Sequence, residues 1–221
     1  MKVDRLVRTR RKTIALIIRP DGSLMVRAPL RATNRQIQQL IDQKAAWIQE
    51  TREKVKTAYP QVAPRQYASG ETFLFLGKTH LLEVVEQARS PLALNGHFAI
   101  AKTVLPQAEA VFTRWYRQQS RQVIAERAAC YAAKFSFQYK MVRITSARTR
   151  WGSCSSKGAL SFTWRLVMAP LEIIDYVVVH ELVHTLERNH RKAFWERVQA
   201  ILPDYKQKIA WLKTNGHLLS L

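Results

Sequence analysis

The chain contains little cysteine and little acid. It has two cysteines, Cys130 and Cys154, in 221 residues; this excludes a disulfide-stapled secreted domain or a cysteine-rich zinc module and favours a reduced, cytoplasmic protein. No apolar run approaches the roughly 20 residues that a membrane helix needs, so we expect no membrane partner. Only 16 acidic residues oppose 36 lysines and arginines, which gives a net charge of +20 and favours anionic partners or substrates.

The hydrophobic content of 47% is enough to bury a core. Residues 1–103 read as a β-rich region with one long helix that ends near Thr57. Residues 104–221 alternate helical and β-like patterns, beginning with a long helix over 106–133. Hairpins are predicted at three glycine-containing turns: Pro20-Asp21-Gly22, the turn around Gly77, and Asn95-Gly96. We therefore expect two regions, with a boundary between residues 103 and 104.

A metal-binding pattern lies in the segment YVVVHELVHTLERNH. His180, Glu181 and His184 form H-E-x-x-H within an apolar helical pattern predicted to run from Pro170 to about Arg188. A spacing of four residues places both imidazoles on one helix face, one turn apart, so both can bind a single Zn²⁺. Glu181 lies at the edge of that face, where its carboxylate can contact a water activated by the metal.

A catalytic zinc site needs a third protein ligand, and three residues are candidates. Glu187 lies about 10 Å along the helix from the first histidine, too far to share one ion while the helix persists. His190 can reach the pair if the helix ends near Asn189, a residue that tolerates the left-handed conformation. Glu196, on the next predicted helix, is the alternative. The spacing favours His190 and leaves Glu196 open.

Residues 150–195 resemble the YgjP-like metallopeptidases, which are related to the WLM and SprT-like zinc proteins. The resemblance is carried by four elements in order: Trp151-Gly152-Ser153-Cys154, Trp164-Arg165-Leu166, His180-Glu181-Leu182-Val183-His184, and Asn189-His190 followed by Phe194-Trp195. It implies an α+β fold, with a zincin-like metallohydrolase domain and an antiparallel sheet. It also implies that His180, His184 and His190 bind the metal and that Glu181 is the catalytic carboxylate. Thr163 and Arg191 depart from the pattern, where asparagine and serine are more usual.

The expected activity is hydrolysis of peptide bonds in a peptide or protein substrate, by a zinc-activated water with Glu181 as general base. An edge strand within residues 139–166 could hold an extended peptide. Two alternatives arise because residues 128–171 contain no acid and seven basic residues. One is a zinc-dependent nucleoside triphosphate pyrophosphohydrolase, with Gly152, Ser153 and nearby serines contacting phosphates. The other is a zinc protein that binds nucleic acid through this basic segment.

Overall fold

The structure is a computed structural model, and it describes residues 3–19, 22–58 and 65–221. The chain divides into two compact units, Met1–Pro64 and Arg65–Leu221. The boundary expected after residue 103 falls inside the second unit, because the strands before it pack on the same core as the helix that carries H-E-x-x-H. The mixture of helices and strands confirms the expected α+β class.

The described residues of the first unit form a small sheet and two helices. Its elements are β1 (Arg5–Thr9), β2 (Ala15–Ile18), β3 (Leu24–Pro29), α1 (Asn34–Gln43) and α2 (Ala45–Ala58). Strands β2 and β3 form the expected hairpin, although Pro20 and Asp21 of its turn lie outside the described residues. The one long helix expected to end near Thr57 is two helices, because Lys44 leaves the helical conformation and caps α1 with its backbone N–H.

The second unit contains two sheets and four helices within the described residues. Strands β4 (Thr72–Phe75), β5 (Lys78–Val85), β6 (Leu92–Asn95) and β7 (His97–Ala101) form one sheet in the order β4-β5-β7-β6. A 3-10 turn leads into α3 (Ala108–Phe135). Strands β8 (Met141–Thr145), β9 (Gly152–Cys154) and β10 (Ala159–Thr163) form the other sheet in the order β8-β10-β9. Helices α4 (Leu171–Val183), α5 (Lys192–Ile201) and α6 (Tyr205–Asn215) follow.

The prediction of an antiparallel sheet was wrong, since all three sheets formed by the described residues are mixed. Strand β5 runs parallel to β7, β8 runs parallel to β10, and β1 runs parallel to β3. In each case one strand lies between the two parallel strands in the sequence but not in the sheet. It pairs antiparallel with the later of the two, on that strand's other edge, so the two strands that flank it in sequence run in the same direction. Strand β9 is left at an edge of its sheet.

Helix α4 is the central element of the second unit. Ten of its residues are buried, on all sides of the helix, which is typical of a helix enclosed by a core rather than lying on a surface. Helix α3 packs against it and buries every fourth residue from Ala108 to Ala132. Arg127 of α3 donates two hydrogen bonds, of 2.6 and 2.8 Å, to the carboxylate of Asp175 in α4. This ion pair fixes the register between the two helices.

The β4–β5 hairpin positions the start of α4. The backbone N–H groups of Leu76 and Gly77 donate to the carbonyls of Val167 and Met168, at 2.9 and 3.1 Å. Gly77 has φ +77°, and a Cβ at this position would lie 2.8 Å from Cα of Pro170. Only glycine fits both the backbone conformation and this close approach. Within the described residues, no helix is long and apolar enough to cross a membrane.

Candidate metal centre

The helix that carries H-E-x-x-H is shorter than expected. It ends at Val183, with His184 as its C-cap, and not near Arg188. The carbonyl of Leu182 accepts hydrogen bonds from both the backbone N–H and the hydroxyl of Thr185, at 2.9 and 2.7 Å, so the last turn tightens and the helix stops. His180 and His184 nevertheless stay one helical turn apart.

The chain then folds back without the left-handed residue that the sequence suggested at Asn189. The non-glycine residues with positive φ in the described part of the chain are Tyr67, Leu76 and Ser136. Instead, the side-chain oxygen of Asn189 accepts a hydrogen bond of 3.2 Å from the backbone N–H of Arg191. This local turn brings His190 alongside the helix end.

Three imidazoles converge at this point. Nε2 of His190 lies 3.0 Å from Nε2 of His180 and 3.1 Å from Nε2 of His184. These three residues are the group of metal-capable side chains that the described part of the chain brings together. Glu187 instead pairs with Arg197 and Glu196 with Lys192. The structure therefore does not bring either of the other candidate third ligands into this cluster.

The Nδ1 atoms of His180 and His184, which point away from the cluster, contact neighbouring groups. Nδ1 of His184 lies 2.9 Å from the carbonyl oxygen of Glu187, and Nδ1 of His180 lies 3.5 Å from the hydroxyl of Tyr176. Contacts of this kind fix the tautomer of a histidine and leave Nε2 with its lone pair free. Burial and the two neighbouring imidazoles lower the pKa of His180 to about 3, which keeps it neutral.

Two aromatic residues at the start of α5 support the histidine cluster. Phe194 is fully buried, with its ring centroid 4.6 to 4.8 Å from those of all three histidines. Trp195 stacks on His190 at 5.7 Å and on Tyr205 of α6 at 5.3 Å. The segment that carries His190 is therefore held against α5 and α6 by packing.

Glu181 lies beside the cluster in a buried position. Glu181 is 5% exposed, and its Oε2 atom has no hydrogen-bond partner among the described residues. Burial raises its pKa to about 7, against a smaller opposing effect of Arg150. Strand β9 passes close by: a Cβ on Gly152 would lie 2.6 Å from both Cγ and Oε1 of Glu181. The backbone of β9 can approach this carboxylate only because residue 152 is glycine.

A cavity of about 310 Å³ opens above these residues. Its lining comes from the edge strand and from the metal-site segment: Gly152, Ser153, Cys154, His180, Glu181, His184, Arg188 and His190. Sequence analysis missed Arg188, whose guanidinium donates to the carbonyls of Ser155 and Ser156 at 3.4 and 2.9 Å. No sequence pattern indicates this contact, because its acceptors are backbone atoms.

The basic side chains of segment 128–171 do not line the cavity, although the charge of Arg150 acts on Glu181. None of its seven lysines and arginines is among the described residues that line the cavity. Arg165, for example, lies 4.2 Å over the ring of Trp164. Thr163, one of the two departures from the family pattern, is buried and donates to the carbonyl of Ala147 at 2.8 Å.

A cluster of three imidazoles beside a buried, unpaired carboxylate at an open cavity is typical of metal-dependent hydrolases. The model of the YgjP-like metallopeptidase domain matches residues 12–215. The chain therefore belongs to the YgjP-like family, as the sequence resemblance indicated, and carries a metallopeptidase domain. A crystal structure of the metallopeptidase zymogen of Pyrococcus abyssi abylysin is similar to 38% of this chain and 87% of its own, with 20% identity and a TM-score of 0.36. No curated protein sequence matches the chain.

Proposed function

We propose that the protein is a zinc-dependent peptidase with a zincin-like catalytic domain, in which Glu181 is the general base. The observation that carries this proposal is the convergence of three Nε2 atoms beside the unpaired Oε2 of a buried glutamate. Family membership supports the peptidase class, and the donor set supports the metal.

His180, His184 and His190 fit a catalytic zinc site. Three neutral imidazoles are a ligand set that zinc accepts, and they leave a fourth position open to water or substrate. The short distances between their Nε2 atoms, with the outer nitrogens of His180 and His184 turned toward other partners, suit one shared ion. Zinc in such a site acts as a Lewis acid and makes water acidic enough to ionise near neutral pH.

Glu181 would hold and move the proton. Its Oε2 faces no donor among the described residues, so it is free to accept a proton from the attacking water and to deliver it to the amine that leaves. The backbone of Gly152 limits where the carboxylate can lie. Glu181 is therefore positioned by packing rather than by a hydrogen bond.

Strand β9 is the proposed substrate platform. It pairs with β10 on one side and lies at the edge of its sheet, next to the cavity. An extended peptide can add to such an edge through main-chain hydrogen bonds, which would place a scissile carbonyl beside the histidine cluster. Arg188 holds the turn after β9 through two backbone carbonyls and so keeps the strand in place.

The two free cysteines support a reducing, cytoplasmic location.

The test compares wild-type protein with E181Q and, as a matched control, E196Q. Each zinc-loaded protein is incubated with a mixed peptide library and a panel of nucleoside triphosphates, and the products are identified by mass spectrometry. We expect E181Q to keep one zinc per chain and to lose about 10²- to 10⁴-fold in peptide cleavage, because the general base is gone. E196Q should retain both zinc and cleavage, because Glu196 is exposed and pairs with Lys192.

Two results would overturn the proposal. Full cleavage by E181Q would remove Glu181 from the chemistry. Formation of nucleoside monophosphate and pyrophosphate that depends on Glu181, without peptide products, would replace the peptidase by a nucleotide hydrolase.

A further inference from the structure

The outer face of α3 carries three arginines close together. Arg114, Arg117 and Arg121 follow one another at spacings of three and four residues, so they lie on one side of the helix. They line a single open groove with Glu109 and several polar residues. This face points away from the buried positions of the helix.

Arg148 and Arg165, outside α3, extend the positive charge of these three arginines. The guanidinium of Arg117 donates to the hydroxyl of Ser146 at 2.8 Å. Arg165 donates to the carbonyl of the same residue at 3.4 Å. Arg148, two residues after Ser146, is close enough to Arg165 to lower its pKa further, in addition to the effect of burial. We call Arg114, Arg117, Arg121, Arg148 and Arg165 together the arginine face.

The arginine face lacks an acidic counterpart within the described residues. None of its five members forms an ion pair there, and Glu109 is the acidic residue among those that line the groove. Like charges at spacings of three and four residues destabilise a helix. Burying part of a charged guanidinium group also costs free energy unless an anion neutralises it. The arrangement therefore favours a bound anion that spans several guanidinium groups.

We propose that the arginine face binds the phosphodiester backbone of a double-stranded nucleic acid, independently of base sequence. Planar guanidinium groups match phosphate geometry. The seven steps of about 1.5 Å from Arg114 to Arg121 span about 10 Å of helix, comparable with three successive phosphate spacings of about 3.4 Å along the axis of a duplex. The net charge of +20 would add long-range attraction for such a partner.

Other anionic partners fit this face less well. The exposed large apolar side chains of the described residues all lie outside α3, so the face offers nothing to insert into a membrane surface. A single strand is usually held by exposed aromatic rings on which its bases stack, and the groove is lined by polar, charged and small residues. Protein–protein interfaces are usually enriched in aromatic residues at their centre, and the described residues that line the groove include none.

The test measures fluorescence anisotropy of the full chain with labelled 20-base-pair DNA and RNA duplexes at several salt concentrations. The variant combines R114Q, R117Q and R121Q. The slope of log K against log salt is negative, and each lost phosphate contact reduces its magnitude by about 0.9, so we expect the magnitude to fall by about 2.7. Between 50 and 200 mM salt the wild type should then lose about 40-fold more affinity than the variant.

The matched control combines K140Q, K206Q and K213Q, three exposed lysines of the same unit outside the arginine face. It removes the same charge and should leave the slope close to that of the wild type. Equal loss in both variants would show that net charge alone drives binding and would overturn the proposal. Tighter binding to single strands, or to vesicles containing anionic lipid, would overturn it as well. Circular dichroism melting shows that each variant is folded, and no readout involves peptidase activity.

Discussion

Replacing Gly152 by alanine tests the closest contact in the candidate site. The added Cβ would lie 2.6 Å from Cγ of Glu181, whereas carbon atoms in contact are about 3.5–4.0 Å apart. Either strand β9 or the carboxylate must therefore move by about 1 Å. Gly152 does not have a positive φ, so alanine adds no backbone strain, and the effect of the substitution is purely steric.

We expect G152A to bind zinc normally and to cleave peptide about 10²-fold more slowly, since a misplacement of 1 Å in a catalytic group costs about that factor. Overpacking should also lower the free energy of unfolding by about 1–3 kcal/mol. Zinc analysis measures the bound metal, initial rates on a quenched fluorescent peptide measure cleavage, and urea unfolding measures the free energy of unfolding.

The control is G96A, in the turn between β6 and β7. Gly96 has φ +79° and no atom within 4 Å of an added Cβ, so alanine costs about 1–2 kcal/mol of backbone strain without a clash. Its cleavage rate per folded molecule should match that of the wild type. A folded, zinc-loaded G152A with the wild-type rate would refute the argument that the β9 backbone positions Glu181.

Two other substitutions test the surroundings of the site. R127M leaves the buried carboxylate of Asp175 without its guanidinium partner, so urea unfolding should show a loss of about 2–4 kcal/mol; a change under about 0.5 kcal/mol would mean that the ion pair does not hold α3 against α4. W195L removes the ring stacked on His190, which contributes about 0.5–1.5 kcal/mol. Zinc affinity should fall roughly two- to tenfold in competition with a chromophoric chelator, and an unchanged affinity in the folded variant would contradict this role.

The local part of the site could be predicted from the sequence. The spacing of His180 and His184 depends only on helical periodicity, and both lie in helical geometry one turn apart. His190 was favoured as the third ligand because a chain reversal after the helix would return it to the pair, and the structure brings all three together. Their binding of a metal stays a prediction.

The non-local part could not be predicted. The helix ends at Val183 because Thr185 bonds back to Leu182, and apolar periodicity contains no information about such a bond. The contact between Gly152 and Glu181 joins residues 29 positions apart in the sequence and depends on which strand ends at the sheet edge. The parallel strand pairs were missed for the same reason, since alternation predicts strands but not the order in which they pair.

The close contact between the β4–β5 hairpin and the start of α4 determines which part of the chain can fold on its own. A fragment of residues 104–221 would retain all three histidines and Glu181. It would nevertheless lose the hydrogen bonds that anchor residues 167 and 168, as well as Tyr67, Phe73 and Phe98, whose rings pack on Phe112. The compact unit that carries the candidate site therefore begins before β4, and we expect changes in the sheet of residues 72–101 to act on α4 from the end opposite to His180 and His184.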